Sequence, residues 1–340
     1  MSAVAADTTA HIRIDHHSAV HVAANAARSS AVACGLPGPL PERAAVLASE
    51  LATNVVKHAR DGALYIQPVP HGTGVQIIAV DRGPGMADPA RCMDDGYTST
   101  GSLGSGLGAV RRMAGTFTIR SQVGRGTLAC AEVTAPGAPA VPGPPIGALC
   151  LPAEGEQECG DSWAVAETGE GRCVALVDGL GHGHAAAQAA QAAVRAFRTS
   201  AARPLPEVLR TMHRALRHTR GAAVALGRLR PAGLEYCAIG NVRAALTSPD
   251  GTVRRLAGRP GVVGWNLPEP YVEQLATPTG SSLVVHSDGI GDPWAHQPPP
   301  ALLRLPAPLL AASLVHGHRL RRDDATVVVT GTARPDAPHP

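Results

Sequence analysis

Lysine is almost missing from this sequence of 340 residues, since Lys57 is the only one and arginine supplies nearly all of the positive charge. A Walker A nucleotide loop needs glycine directly before its lysine, whereas Lys57 follows Val56. A protein-kinase fold needs a Val-Ala-Ile-Lys type strand and a His-Arg-Asp loop, and the sequence has neither. Any nucleotide site must therefore hold phosphate mainly with backbone amides, arginine and metal.

Long apolar runs, aromatic residues and paired cysteines are scarce as well. No segment approaches the roughly 18–20 consecutive apolar residues that cross a bilayer, and no basic region followed by an apolar segment opens the chain. Aromatic residues make up 3% of the chain, so we expect aliphatic cores. The seven cysteines form no Cys-x-x-Cys pair, which favours reduced, structural thiols. We predict a cytoplasmic protein that binds no membrane and, with a net charge of +3, no nucleic acid.

Proline is concentrated in one stretch, residues 135–145, which contains five prolines in eleven positions. Such a segment cannot continue a helix or a central strand, and it acts as a semi-rigid spacer. It predicts two folded blocks, 1–134 and 146–330, and we expect the tail 331–340 to be disordered.

Hydrophobic patterning predicts an α+β fold with an α/β sandwich in each block. In the first block, helices over residues 18–34 and 41–58 precede four strands, which is typical of a two-layer sandwich. In the second block, many strands and two grouped helices, 184–198 and 205–217, indicate a larger and mostly antiparallel sandwich.

Polar residues of the first block stand where they can serve a nucleotide. Glu50 and Asn54 lie one helical turn apart, which suits a base and a Mg²⁺ ligand, although a solvated helix face is the simpler explanation of the pair alone. Asp81, before Gly83 and Gly85, either accepts a hydrogen bond from an adenine amino group or marks an ordinary turn. A glycine-rich entry into a third helix offers bare amides to phosphate, at Gly104, Gly106 and Gly108.

In this order, the segments ELATNVVKHA, DRGPG, GSGLG and GRGT resemble the GHKL ATPase/kinase family, and residues 92–113 are similar to its RsbT-type switch kinases of bacterial stress signalling. The resemblance implies a Bergerat-type ATP fold with a short lid, in which Glu50 is the catalytic base, Asn54 the Mg²⁺ ligand and Asp81 the adenine contact. The same resemblance implies that the remaining ATP contacts are Gly83, Gly85, Gly104, Gly106, Gly108 and Thr127. It also implies phosphotransfer to Ser or Thr residues of STAS-domain proteins.

Acidic residues of the second block stand at strand ends or turns, at Asp161, Asp178, Asp288 and Asp323 with the adjacent Asp324. A carboxylate at the end of a buried strand costs free energy unless a cation or a donor compensates it, and hard divalent ions prefer such oxygen ligands. A single Asp-Gly pair simply marks a turn, but four acidic sites in one block favour a metal centre.

The segments CGDSWAV, VDGLGHGHAA, VVHSDGIGD and RDDATVVV resemble the metal-dependent PPM-type Ser/Thr phosphatases in their compact, RsbX-like SpoIIE branch. This resemblance implies two Mn²⁺ or Mg²⁺ ions, held by Asp161, Asp178, the Gly179 carbonyl, Asp288 and Asp323. Eukaryotic relatives place a histidine directly after this Asp-Gly pair, where the present chain has Leu180. We therefore favour a loop histidine over a general acid as the interpretation of His182. For Asn241 we favour a turn residue over a substrate contact.

The expected function is that of a fused kinase and phosphatase, in which one domain adds phosphate and the other removes it. Both would act on STAS-domain anti-anti-sigma or stressosome-type proteins in a sigma-factor pathway. A rival interpretation is a binding switch that captures a sigma factor or a phosphatase activator and uses ATP only to order its lid. The carboxylate of Glu50 argues against this rival, since a pure binder needs no base. A further alternative keeps ATP binding as a regulatory input to a single working phosphatase.

Overall fold

The computed structural model describes residues 3–5, 8–70, 73–93, 106–137, 145–230, 233–296 and 298–331. The chain forms two compact units: residues 9–142 make the N-terminal unit, and residues 1–8 with 143–340 make the C-terminal unit. Most of the predicted linker and nearly all of the predicted disordered tail lie outside the described residues. Among the described residues, no helix has both the length and the apolar character that a membrane span needs.

The first residues differ from the prediction. Strand β1 (Ala3–Ala5) pairs antiparallel with residues 164–166 of the C-terminal unit, so residues 1–8 do not belong to the first block. A segment of three residues is too short to show the alternating pattern of a strand, and its partner strand is distant in the sequence. The sequence therefore gives no local signal for β1.

Among its described residues, the N-terminal unit has three α-helices and one sheet. Its elements are β2 (Ala10–Ile14), α1 (Ser18–Ala33), α2 (Leu40–His58), β3 (Gly62–Pro68), β4 (Gly74–Asp81), α3 (Gly106–Met113), β5 (Thr116–Gln122) and β6 (Gly126–Thr134). The sheet order is β2-β3-β4-β6-β5, and every neighbouring pair is antiparallel. This is the two-layer arrangement that the patterning predicts, with β2 as an unpredicted edge strand.

Helix α2 positions the N-terminal site because its two sides have different character. Leu47, Leu51 and Val55 recur every four residues and are almost completely buried against the sheet. Glu50 and Asn54 are offset from that stripe and reach the helix side that is half-buried. Proline at the first turn begins the helix favourably, since its missing N–H has no helical partner there.

The C-terminal unit contains two antiparallel sheets. Its elements are β7 (Ile146–Leu151), β8 (Asp161–Thr168), β9 (Gly171–Gly179), α4 (His184–Ser200), α5 (Leu205–Ala215), β10 (Ala222–Arg230), β11 (Gly233–Ile239), β12 (Arg243–Thr247), β13 (Val253–Leu256), β14 (Glu273–Leu275), β15 (Ser282–His286), α6 (Pro300–Leu303), α7 (Ala307–His318) and β16 (Ala325–Gly331). The sheet orders are β1-β8-β9-β10-β11-β14 and β13-β12-β15-β16-β7.

These elements form four layers. One aliphatic core joins α4 and α5 to the first sheet, and a second core lies between the two sheets. Helix α7 packs on β7 and β16 of the second sheet. The resulting sandwich brings the ends of β8, β9, β15 and β16 together, and these are the strands that carry the predicted metal ligands.

Besides β1, the described part of this unit contains four elements that were not predicted: β13, β14, α6 and α7. Strands β13 and β14 are short edge strands with exposed charged residues, so their pattern resembles a loop. Helix α7 is buried on most of its sides, and a helix that is apolar nearly all round has no amphipathic period to detect.

Candidate functional site

A cavity of about 610 Å³ opens in the N-terminal unit. Its volume falls within the range of about 300–1,000 Å³ that is usual for small-molecule sites. Six of the predicted ATP-site residues contribute to its wall, namely Glu50, Asn54, Asp81, Gly85, Gly106 and Thr127. The structure therefore brings together, in one concave site, residues from two helices, two strands and one loop.

Asp81 ends strand β4 and lies directly opposite Thr127 of β6. Its Oδ1 atom accepts a hydrogen bond of 2.7 Å from the backbone N–H of Gly83. Burial raises the pKa of Asp81 above its ordinary value, while hydrogen bonds from the Gly83 and Thr127 backbones and the charge of His58 oppose the rise. A carboxyl in this position has a strong need for a further hydrogen-bond donor, which an amino group of a ligand can supply.

Asn54 carries a second unsatisfied group in the same cavity. Its Nδ2 atom is buried and has no hydrogen-bond partner among the described residues. A Cβ at Gly106, the first residue of α3, would lie 3.7 Å from Oδ1 of Asn54, so the glycine leaves that side of the amide open. Glu50 makes no hydrogen bond or ion pair within the described part of the chain, which leaves its carboxylate available to a ligand.

The remaining glycines have different positions. Gly85 lines the cavity, but a Cβ there would lie 2.1 Å from the carbonyl oxygen of Gln122, so packing on β5 also requires this glycine. Gly83 forms the turn that binds Asp81, and Gly108 is buried inside α3; neither lines the cavity. Gly104 lies outside the described residues.

In the C-terminal unit, the predicted metal ligands meet at one edge of the sandwich. Asp161 and Asp178 are direct partners across β8 and β9. Asp288 follows β15 and Asp323 precedes β16, and these two strands are neighbours in the other sheet. We call the four residues Asp161, Asp178, Asp288 and Asp323 the acidic edge.

Three carboxylates of the acidic edge are partnered by protein donors. Oδ2 of Asp161 accepts a hydrogen bond of 2.6 Å from the hydroxyl of Ser287. Oδ2 of Asp288 accepts one of 2.5 Å from the side-chain amide of Asn241, and Oδ1 of Asp323 accepts one from the backbone N–H of the next residue. These bonds fix the orientation of the carboxylates and leave their second oxygens available.

Asp178 is the exception. Its Oδ2 atom is buried without a hydrogen-bond partner among the described residues. Burial, together with the charges of the neighbouring carboxylates, raises the pKa of Asp178 to about 9. An ionised carboxylate that is buried among three others costs free energy. A bound cation would offset that free energy by compensating the negative charge.

The oxygen-rich donor set fits Mg²⁺ or Mn²⁺, which prefer carboxylate and carbonyl ligands. Within the described ranges, no three acidic, histidine or cysteine side chains stand close enough together to form a complete metal cluster as they are placed. Gly179 must be glycine here, because a Cβ would lie 2.5 Å from the carbonyl oxygen of Ala186.

Two further residues near the acidic edge have structural contacts. Asp324 accepts hydrogen bonds from the backbone N–H groups of Ala153 and Gly160, at 2.8 and 2.9 Å, and so holds the loop before β8. Nδ1 of His182 lies 2.7 Å from Oε1 of Glu156. This contact matches the interpretation of His182 as a loop histidine.

Sequence reasoning missed the role of Ser287 and placed Asn241 in a turn. The hydroxyl of Ser287 donates to Asp161 and accepts from the backbone N–H of Thr326, so it joins the two sheets at the acidic edge. Asn241 holds Asp288. Each residue stands beside an apolar strand end in the sequence, but only the folded chain shows which carboxylate it meets.

Comparison with known proteins separates the two units. Residues 168–332 match the family Stage II sporulation protein E (SpoIIE). Phosphoserine phosphatase RsbX of Bacillus subtilis (strain 168) is 28% identical over 143 residues, which are 41% of this chain and 71% of RsbX. Serine/threonine-protein kinase RsbT of the same organism is 41% identical over 81 residues, which are 23% of this chain and 61% of RsbT. The chain therefore spans less than two thirds of the length of RsbT.

Solved structures match the phosphatase fold. One, described as the bacterial stressosome, a modular system adapted to control secondary messenger signaling, has 32% identity and a TM-score of 0.50, covering 54% of this chain and 97% of that chain. RsbX in complex with magnesium has 23% identity and a TM-score of 0.50, covering 56% of this chain and 95% of that chain. The predicted phosphatase fold is confirmed, whereas the GHKL fold of the N-terminal unit stays a prediction. The C-terminal unit thus has the phosphatase fold and is similar to the SpoIIE family and to RsbX, and the N-terminal region is similar to RsbT.

Proposed function

We propose that this protein is a bifunctional regulator of a bacterial partner-switching stress pathway. One unit phosphorylates Ser or Thr residues of STAS-domain proteins from ATP, and the other removes the phosphate by metal-dependent hydrolysis. The observation that supports this most directly is the presence, in one chain, of a nucleotide-sized cavity with Glu50, Asn54 and Asp81 and of the acidic edge around Asp178.

The kinase half rests on how the cavity divides its tasks. Asp81 accepts a hydrogen bond from the adenine amino group, and Asn54 contributes an amide oxygen to Mg²⁺. The N–H groups at the start of α3, from Gly106 onwards, face the phosphates, because a helix N-terminus favours anions. Glu50 accepts the proton of the attacking Ser or Thr hydroxyl. Bound MgATP supplies the phosphoryl group and neutralises its charge.

The phosphatase half rests on the acidic edge. Two Mn²⁺ or Mg²⁺ ions would be held by Asp161, Asp178, the Gly179 carbonyl, Asp288 and Asp323. When bound, such ions activate water and neutralise charge on phosphoryl oxygens. Ser287 and Asn241 keep their carboxylates oriented through the hydrogen bonds described above, which preorganises the ligands before metal enters.

Joining opposed activities in one chain has a physical consequence. A partner protein that binds either unit meets the other unit at a high effective concentration, since the linker limits how far the two can separate. The ratio of kinase to phosphatase molecules is also fixed at one to one by the covalent link. A signal that gates one unit would then change the phosphorylation state of the partner without any change in protein abundance.

The test is a two-step labelling experiment. The protein is incubated with γ-labelled ATP, Mg²⁺ and a panel of STAS-domain proteins, and Mn²⁺ is then added in excess. We expect a Ser or Thr label on at least one STAS protein, followed by release of labelled phosphate after Mn²⁺ is added. Nucleotide binding without any label on the panel would contradict the kinase half and favour the binding switch, and a label that persists after Mn²⁺ would contradict the phosphatase half.

A further inference from the structure

Arg220 lies in the turn that leads into β10, the neighbour of the strand β9 that carries Asp178. In the pairing of β9 with β10, Gly179 stands opposite Ala222, and the backbone N–H of Leu180 donates to the carbonyl of Gly221 at 3.1 Å. Beyond this point the Arg220 side chain reaches Gly181, which stands three residues after Asp178 in the sequence.

The guanidinium group of Arg220 lies next to Gly181. A Cβ at position 181 would lie 2.9 Å from Nη1 of Arg220. Gly181 has a φ of +85°, in the left-handed region that favours glycine, so the backbone conformation accounts for this glycine. The contact places the end of the Arg220 side chain over the loop that follows Asp178 and Gly179.

The turn that carries Arg220 is held from both sides. The hydroxyl of Thr219 accepts a hydrogen bond of 3.0 Å from the backbone N–H of Gly221. The carbonyl of Thr219 accepts one of 3.1 Å from the indole N–H of Trp265. The backbone at Arg220 is therefore fixed by contacts that do not use its own side chain.

The guanidinium group itself is exposed and makes no hydrogen bond or ion pair with any described residue. Arginine commonly pairs with carboxylates, yet no described carboxylate pairs with Arg220. Arg220 therefore does not serve to neutralise the acidic edge. Its planar fork of N–H donors remains available to an anion bound next to that edge, and phosphate is the anion that such a fork recognises best.

We propose that Arg220 binds the phosphoryl group of the substrate in the phosphatase site. This inference rests on the proposed hydrolysis of phosphoserine or phosphothreonine by the C-terminal unit. The Arg220 guanidinium would contact the phosphoryl group next to the metal ions that the acidic edge would hold. Arg220 thus contributes to the affinity for the phosphorylated partner and for the product phosphate, while the metal ligands carry the chemistry.

The test compares Arg220→Gln, Arg220→Lys and the matched control Arg217→Gln, an exposed arginine three positions away. For the full-length protein loaded with Mg²⁺ or Mn²⁺, we measure kcat and KM with p-nitrophenyl phosphate and the inhibition constant of inorganic phosphate. Calorimetric titration of inorganic phosphate into the Mg²⁺-loaded proteins gives a readout that does not depend on turnover. Thermal denaturation of each variant establishes that the fold is intact.

We expect Arg220→Gln to weaken phosphate binding about tenfold or more and to raise KM by a similar factor, the scale of a lost charged hydrogen bond. Arg220→Lys should keep part of the affinity, because it keeps the charge and loses the fork. Arg217→Gln should behave like the wild type. If Arg220→Gln does not fold, the Lys variant decides, and it should bind phosphate about threefold or more weakly.

Phosphate affinities of the Arg220 variants within about threefold of the wild type would overturn the inference, and so would a fall in kcat alone with KM and phosphate affinity unchanged. The proposed function fails separately. If the wild-type protein hydrolyses no phosphorylated substrate with either metal, the phosphatase assignment is wrong, and the calorimetric comparison alone then decides whether Arg220 binds phosphate.

Discussion

Single acidic residues show most clearly how the fold prepares each site. Asp81 and Asp178 both end buried strands, and burial raises the pKa of each carboxyl above its ordinary value. Their surroundings then differ, because Asp81 receives two backbone hydrogen bonds whereas Asp178 is faced by other carboxylates. The first environment suits an uncharged hydrogen-bond donor such as an adenine amino group. The second suits a metal cation.

The substitution Asp81→Asn tests the first environment. Asn retains an oxygen for the Gly83 N–H but places an amide donor where adenine presents its own donor, so we expect nucleotide binding to weaken by about 1–3 kcal/mol. Because burial raises the folded-state pKa, ionised Asp81 opposes folding at pH 7, and the variant should be at least as stable as the wild type. Titration calorimetry and thermal denaturation measure both effects. Asp61→Asn, an exposed acid paired with Arg82, is the control; unchanged nucleotide affinity in Asp81→Asn would rule out the adenine contact.

At the level of secondary-structure elements, short turns and strand ends define both sites. The β5–β6 hairpin brings Thr127 opposite Asp81, and two glycines with positive φ shape its turn. In the C-terminal unit, the end of α5 is tied to the loop after β13, since the backbone N–H of Gly264 donates to Nδ1 of His213 at 3.0 Å. Each connection can be tested by a matched pair of variants.

In the hairpin, Gly126→Ala and Gly124→Ala separate conformational strain from collision. Both glycines have positive φ, +105° and +76°, but a Cβ at Gly126 would lie 2.0 Å from the carbonyl oxygen of Asp81, while nothing lies within 4 Å of one at Gly124. Gly124→Ala should therefore cost about 1–2 kcal/mol of folding free energy. Gly126→Ala should cost more and should also reduce nucleotide affinity, because it displaces Asp81. Equal losses of stability in chemical denaturation, with unchanged nucleotide binding, would contradict this explanation.

His213 gives the C-terminal unit a pH dependence of known sign. Burial lowers the pKa of His213 below its ordinary value of 6.5, and the neighbouring charges of Arg217 and Arg214 lower it further. The neutral ring accepts the Gly264 hydrogen bond, so its stabilising contribution is complete above about pH 6.5 and is lost as the pH falls through the lower folded-state value. His213→Gln keeps an acceptor without titrating there, and its thermal midpoint should fall less than that of the wild type between pH 7 and about pH 5. His218→Gln, on the exposed segment after α5, should keep the wild-type dependence; identical pH profiles for all three proteins would contradict the role of His213.

The sequence predicted these elements unevenly, for identifiable reasons. Helix α2 was found because Leu47, Leu51 and Val55 repeat at helical spacing beside polar residues. Helix α7 has no polar side and left no such pattern. The four acids of the acidic edge could be named because each ends an apolar strand or precedes one. Their partners Ser287 and Asn241 could not, since those contacts depend on which strands become neighbours.

For the whole molecule, the central feature is that one chain carries two candidate sites in two separate compact units. The acidic edge combines residues from Asp161 to Asp323, so it exists only when both sheets of the C-terminal unit have formed. The N-terminal cavity draws on residues from Glu50 to Ala129 of a separate compact unit. Because distant sites without shared partners usually respond independently to mutation, the two activities should be separable.

One time course tests the bifunctional account most directly: transfer of labelled phosphate from ATP to a STAS-domain protein, followed with wild type, Asn54→Ala and Asp178→Asn in Mg²⁺ and Mn²⁺. We expect the label to rise and then fall with wild type, to stay absent with Asn54→Ala, and to accumulate and persist with Asp178→Asn. Purified phosphorylated STAS protein should still be dephosphorylated by Asn54→Ala, whose metal ligands on the acidic edge are intact. Labelling by Asn54→Ala at the wild-type rate, or normal loss of label with Asp178→Asn, would contradict the account.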